Sequence, residues 1–202
     1  MSTVEATARA GGRQRDPRAD AALIEAVLDL VSAGATLSGL SLSAIAEHAG
    51  VSRNSLYRRW KTKEALYLDV LAAVNRPLPE LAGRSAREDV TELLTVLTQR
   101  IVDPRASAML RALNAEMDAF PELHRRYFRE LVAPRREAMN QALQRGIAAG
   151  EVRPDIDVAL VSELLASPVL ARMSRGETAD LDPVRTSERI TALVFAGIAP
   201  RT

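Results

Sequence analysis

Apolar residues recur every three to four positions from Leu23 to the end of the chain and almost nowhere alternate strictly, a pattern that predicts an all-α protein. Leu23, Ile24, Val27, Leu28, Leu30 and Val31 form the first stripe. Asp16 and Pro17 supply its cap and first helical residue, and Gly34 ends it. Ser41 caps a short second helix whose apolar face is Leu42, Ile45, Ala46 and Ala49. Gly50 follows, where the chain needs a left-handed residue to turn sharply. Val51 plugs the turn and Ser52 caps a third helix, with Leu56 and Trp60 inward at i, i+4. Thr62 caps a fourth, in which Ala65, Leu66, Leu68, Leu71 and Val74 keep the period. Beyond Pro77 and Pro79 the spacing predicts helices at about 86–103, 105–119, 122–149, 156–175 and 183–198. Pro134 and Pro168 fall inside two of these and predict a kink or a split. There is no internal repeat.

This pattern divides the chain into residues 1–15, small and polar and expected to be a disordered arm, 16–74 with the short helices, and a larger helical part, 75–202. The arm carries Arg9, Arg13 and Arg15, with Arg18 just beyond, but no apolar core, so it is not a secretory signal. An arm of this kind either reaches into a DNA minor groove or stays solvated. No run of about 18 uncharged apolar residues is present, so no membrane span is expected. The chain has no cysteine, which excludes a disulfide framework and fits a cytoplasmic location. Two distant histidines, His48 and His124, make no metal cluster. No phosphate-binding glycine loop and no Asp/Glu/His grouping of catalytic spacing occurs, so no enzyme, catalytic residue, cofactor or metal is expected.

Charge changes the picture only locally. The net charge over 202 residues is +1, yet the stretch from Gly50 to Lys63 contains Arg53, Arg58, Arg59, Lys61 and Lys63 and no acid. That suits a small footprint on phosphates better than general polyanion binding. The segment Leu42–Leu66, LSAIAEHAGVSRNSLYRRWKTKEAL, therefore reads as a helix-turn-helix whose second helix enters the DNA major groove. Arg53 offers a bidentate donor pair to guanine, Asn54 the matching pair to adenine, and Ser55 a hydroxyl to a base or a phosphate. Tyr57 reaches a phosphate one turn on, Arg58 and Arg59 flank the groove, and Lys63 clamps a phosphate at the start of the fourth helix. A Ser-capped helix with several arginines is, alone, only a solvated helix. The glycine turn, two helices too short to bury their faces alone, and the acid-free basic face together favour DNA.

The run Ser41, Ile45, Ala46, Ala49, Gly50, Val51, Ser52, Leu56, Tyr57, Trp60, Lys63, Glu64 and Leu66 resembles the N-terminal DNA-binding domain of the TetR (tetracycline-repressor-like) family. The resemblance spans residues 16–68, about a quarter of the chain; a turn at Arg145–Asp155, RGIAAGEVRPD, is of a kind many members have. It implies a homodimer on a near-palindromic operator, usually a repressor, released when a small molecule in the C-terminal domain shifts the recognition helices. Ser41, Arg53, Asn54, Ser55, Tyr57 and Lys63 match positions where the family contacts DNA, and Arg58 and Arg59 match positions that do so in some members; Ser52 is grouped with them. Many members have Gly, Ala or Pro in place of Asn54 and Phe in place of Trp60, and the Gly34–Leu40 loop is longer than usual.

The C-terminal part must then dimerise and sense. Segments 156–175 and 183–198 carry broad apolar surfaces, Val158 to Met173 and Ile190 to Ile198, which serve a four-helix dimer interface or a monomer core equally well. Met109, Leu113, Met117, Phe120, Tyr127, Met139 and Leu164 are candidate walls of an effector pocket, and equally candidate core. Only three Phe, three Tyr and one Trp are present, which favours an aliphatic or amphipathic effector over a stacked planar one. Glu116 and His124 are candidate polar contacts. A constitutive DNA-binding protein without an effector is the alternative that sequence leaves open.

Overall fold

The computed structural model describes residues 17–200, all helix and connecting turn among the described residues; the arm at 1–15 and the Asp16 cap lie outside them. Helix α1 (Pro17–Ser32), α2 (Leu42–His48), α3 (Arg53–Arg59) and α4 (Lys63–Ala73) follow the predicted stripes. Their start signals act as expected. Ser41, Ser52 and Thr62 each accept a hydrogen bond from the backbone N–H three residues on, satisfying donors that the helix cannot. Gly50 adopts φ +63°, the left-handed value that lets α3 leave α2 at a steep angle. Trp60 ends α3 in extended conformation rather than continuing it. Its ring is buried, and its indole N–H donates to Asp69 at 2.7 Å.

The larger part holds α5 (Ala86–Val102), α6 (Pro104–Ala115), α7 (Pro121–Tyr127), α8 (Ala133–Ala148), α9 (Val158–Ser174) and α10 (Pro183–Ile198). Two predicted boundaries change. Pro104 opens α6 instead of merely breaking the chain, because Asp103 caps it by accepting from the Arg105 and Ala106 amides. The expected 122–149 helix divides at a π-helical turn, Phe128–Val132. Pro134, which lacks an N–H to give, sits at the start of α8 directly after that turn. Pro168 leaves α9 continuous.

Leu23 and Val27 of α1, Ile45, Leu56, Leu66 and Leu71 belong to one buried cluster that runs on into Ile101, Met109, Leu113 and Leu123. The apolar core is thus continuous across the Pro77–Pro79 stretch, with α1 and α4 lying on α6 and α7. A second cluster joins α5, α8, α9 and α10 through Val90, Leu143, Leu165 and Phe195. Helix α8 and the turn that follows it meet the start of α5 closely. Glu151 accepts from the Ala86 amide at 2.8 Å, while Gly146 faces Ala86 and Val152. A Cβ on Gly146 would lie 2.5 Å from the Ala86 Cβ and 3.0 Å from Val152 Cγ2. Gly146→Ala should therefore cost about 1–3 kcal/mol by overpacking. Chemical denaturation should show the loss, and an unchanged midpoint would mean α5 and α8 can part freely.

Candidate nucleic-acid interface and cavity

The cap of α3 decides what its first turn presents. The Ser52 Oγ accepts from the Ser55 amide at 3.2 Å and its hydroxyl donates to the Ser55 Oγ at 3.0 Å, so these two serines lock the helix start together. Arg53, Asn54 and Arg58 then stand exposed, and Tyr57 keeps 45% of its surface. No acid lies on α3. Ser41, at the start of α2, is also exposed and accepts from the Ala44 amide at 3.1 Å.

Two basic residues expected on the phosphates are engaged inside the protein instead. The Arg59 side chain is 5% exposed and paired with Asp20 of α1, and it donates to the Ser55 carbonyl at 2.9 Å. It holds α3 against α1. The Lys63 ammonium donates to the carbonyls of Leu37 at 3.2 Å, Ser38 at 2.9 Å and Leu40 at 2.9 Å, and lies 5.7 Å from the centroid of the Phe120 ring. Its three donors are consumed by loop carbonyls that no helix satisfies.

That loop, Ala33–Leu40, is gripped from two directions. From α4 come Lys63 and the Tyr67 hydroxyl, which donates to the Leu37 carbonyl at 2.7 Å. Burial, then the Glu116 and Glu64 charges, push the Tyr67 phenol far above its ordinary range. From the end of α6 comes Glu116, whose carboxylate accepts from the Leu37 amide at 2.6 Å and the Ser38 amide at 2.9 Å. Burial raises the Glu116 pKa, but hydrogen bonds from Ser38 and Leu37 and the Lys63 charge outweigh it and hold the carboxyl below its usual value. At the other end of α6, Arg105 binds Glu25 at 2.6 Å and Asp29 at 2.8 Å on α1. Helix α6 is therefore fastened to the DNA-binding helices at both ends. Glu116 was expected, if anywhere, beside an effector.

A cavity of about 500 Å³ opens among α5, α6, α7, α8 and α9, within the range of small-molecule sites. Of the residues expected to line it, Tyr127 and Met139 do. Met109 and Leu113 are fully buried in the core instead. Phe120 stacks edge-on against Tyr67 at 6.0 Å. Met117 and Leu164 stay on the surface, 48% and 53% exposed. On α6 the wall is built from Leu110 and Asn114, one position round from Met109 and Leu113, which turn toward the core. The polar wall residues Arg100, Arg135 and Asn140 were not anticipated; of these, Arg100 sits within an apolar stripe, between Leu97 and Ile101, and a charge on a nominally inward face is the signal that could have found it. Among the described residues no cluster of His, Cys, Asp or Glu fit for a metal ion occurs, and no helix is long and apolar enough to cross a membrane.

A three-helix module presenting a capped, acid-free recognition helix, fused through α4 and α6 to a helical body with a cavity, defines a helix-turn-helix transcriptional regulator. Residues 37–70 match the family of bacterial regulatory proteins, tetR family, and residues 83–194 match the tetracyclin repressor-like C-terminal domain. The second match alone spans more than half of the chain, and the protein belongs to the TetR family of non-enzymatic DNA-binding regulators. It is 33% identical over 143 residues to the HTH-type transcriptional regulator AqdR of Rhodococcus erythropolis, covering 68% of this chain and 67% of that one. It is 27% identical over 165 residues to an uncharacterized HTH-type transcriptional regulator, YdeS, of Bacillus subtilis (strain 168), covering 80% and 81%. A TetR-family transcriptional regulator from Rhodococcus sp. shares the fold, with a TM-score of 0.72 and 21% identity over 91% of this chain and 99% of that one.

Proposed function

We propose that the protein is an effector-responsive, cytoplasmic repressor that binds a near-palindromic operator as a homodimer. The carrying observation is the pairing of the cavity with Glu116: the helix that supplies Leu110 and Asn114 to the cavity wall ends on the carboxylate that holds the loop before α2. A molecule that moves α6 moves that loop, and with it the helix-turn-helix. Base contacts fall to Arg53 and Asn54, phosphate contacts to Ser41, Ser52, Ser55, Tyr57 and Arg58. Dimerisation falls to α9 and α10, which leave Leu160, Leu164, Val184 and Leu193 more than half exposed, an unusual apolar surface for a monomer.

Mobility-shift titrations on the DNA upstream of the protein's own coding region test this reading. The expected result is specific binding that weakens steeply with salt; equal affinity for scrambled DNA at near-physiological salt would end it. Arg53→Ala should relax preference at one base position by about 1–3 kcal/mol, whereas Tyr57→Ala should weaken every sequence alike. A uniform loss from Arg53→Ala would move that residue to the phosphates.

A further inference from the structure

Two arginines stand in the cavity wall without an acid to neutralise either. Arg100 of α5 is only 6% exposed. Its guanidinium donates to the Asn75 Oδ1 and, at 3.3 Å, to the Tyr127 hydroxyl, both neutral acceptors, and its Nε has no hydrogen-bond partner. Arg135 of α8 donates to the carbonyls of Leu131, at 3.0 Å, and Arg76, again neutral. Burial, then the charge of Arg100, push the Arg135 guanidinium below its ordinary range. Asn140 adds a buried Oδ1 without a partner. The acid on the wall, Glu163, is met by Arg136 at 3.7 Å. Most of the remainder is apolar, with Leu78, Leu93, Leu97, Leu110, Leu170 and Met173, beside Asn114 and three serines, Ser162, Ser167 and Ser174.

Like charges repel strongly where the surroundings are poorly polarisable, and a buried cation without a counter-ion is costly. A guanidinium also has the planar donor fork that fits a carboxylate. An anion arriving from outside satisfies both arginines, and a chain of methylenes behind it covers the leucines. We infer that the cavity takes an amphipathic organic acid, its carboxylate held by Arg100 and Arg135 and its aliphatic body lying along the leucine wall. The inference rests on the reading of this cavity as the effector site, and names the chemical class of that effector.

Calorimetric titration of the full-length protein with decanoate and with decan-1-ol tests it. Decanoate should bind roughly tenfold or more tighter than the alcohol, the least that charge-assisted hydrogen bonds provide. Arg100→Met and Arg135→Gln should each bring decanoate close to the alcohol's affinity. Should Arg100→Met fail to fold, the half-buried Arg135 still carries the comparison. Equal affinity for acid and alcohol, no decanoate binding by folded protein, or a preference surviving both substitutions would overturn the inference. Adding each compound to the operator complex separates this from the effector reading. Arginine-dependent decanoate binding that leaves DNA bound upholds the acid site and counts against the effector role. Release by the alcohol as readily as by the acid does the reverse.

Discussion

Leu193→Glu is expected to give a folded, monomeric protein that no longer holds a palindromic operator tightly. Leu193 is 77% exposed on α10, so within one protomer the substitution removes almost no packing. Thermal unfolding of the isolated chain should change little, since surface positions move stability by about 0.5 kcal/mol or less. Across a two-fold interface the same position counts twice. Losing a fully buried leucine costs about 1.5–3 kcal/mol, so two copies cost about 3–6 kcal/mol before the desolvation of two carboxylates is added. Dimer dissociation should therefore shift by a factor of about 10² to 10⁴. Light scattering at micromolar concentration reads the mass directly. A variant that stays dimeric would place the interface elsewhere than on α9 and α10. A monomer engages one half-site, so operator affinity should fall with the mass.

The helix-turn-helix was legible because its instructions are local. Ser41, Gly50, Ser52 and Thr62 each act on a backbone group within three or four residues, and a sequence displays such spacings openly. The all-α class and the positions of α5, α6, α9 and α10 followed from periodicity for the same reason, whereas the division of 122–149 into α7 and α8 did not. What sequence could not supply was the long-range partner. That Lys63 donates to the carbonyls of a loop some 25 residues earlier is visible only in the fold. Arg59 looks exposed until Asp20 meets it. On α6 the apolar stripe was visible, but which edge faces core and which faces cavity depends on how the helix is rotated against α1 and α4. A one-residue step separates Met109 from Leu110 and Leu113 from Asn114. Arg100 carried the clearest overlooked signal, a charge one residue before Ile101 on an apolar face.

Glu116→Gln should loosen the one carboxylate joining the cavity-lining body to the loop before α2. The wild-type carboxylate accepts from two amides, Leu37 and Ser38, 79 and 78 residues away. Hydrogen bonds to a charged group contribute about 1.5–3 kcal/mol each when shielded. Glu116 is only partly buried, and solvent screening reduces the pair to about 1–2 kcal/mol together. Glutamine keeps an acceptor but not the charge, so the melting temperature at neutral pH should drop by about 2–6 °C. The pH dependence has a definite sign. The folded carboxyl titrates below its ordinary value of 4.5, so the unfolded chain takes up the proton first. The stabilisation is complete above that value and is lost as pH falls through the folded one. Stability of the wild type should therefore decline below about pH 4.5 more steeply than that of the variant, whose glutamine does not titrate. Hydrogen exchange locates the effect: the Leu37 and Ser38 amides should exchange faster in the variant, while amides in α9 and α10 keep their protection. Because the loop leads directly into α2, operator affinity should fall with it even though no DNA-facing side chain has changed. Wild-type exchange at those two amides, with an unaltered acid limb, would show that α6 and the loop merely touch, and the path from cavity to DNA would then have to run through α4 or through the Arg105 contacts with α1.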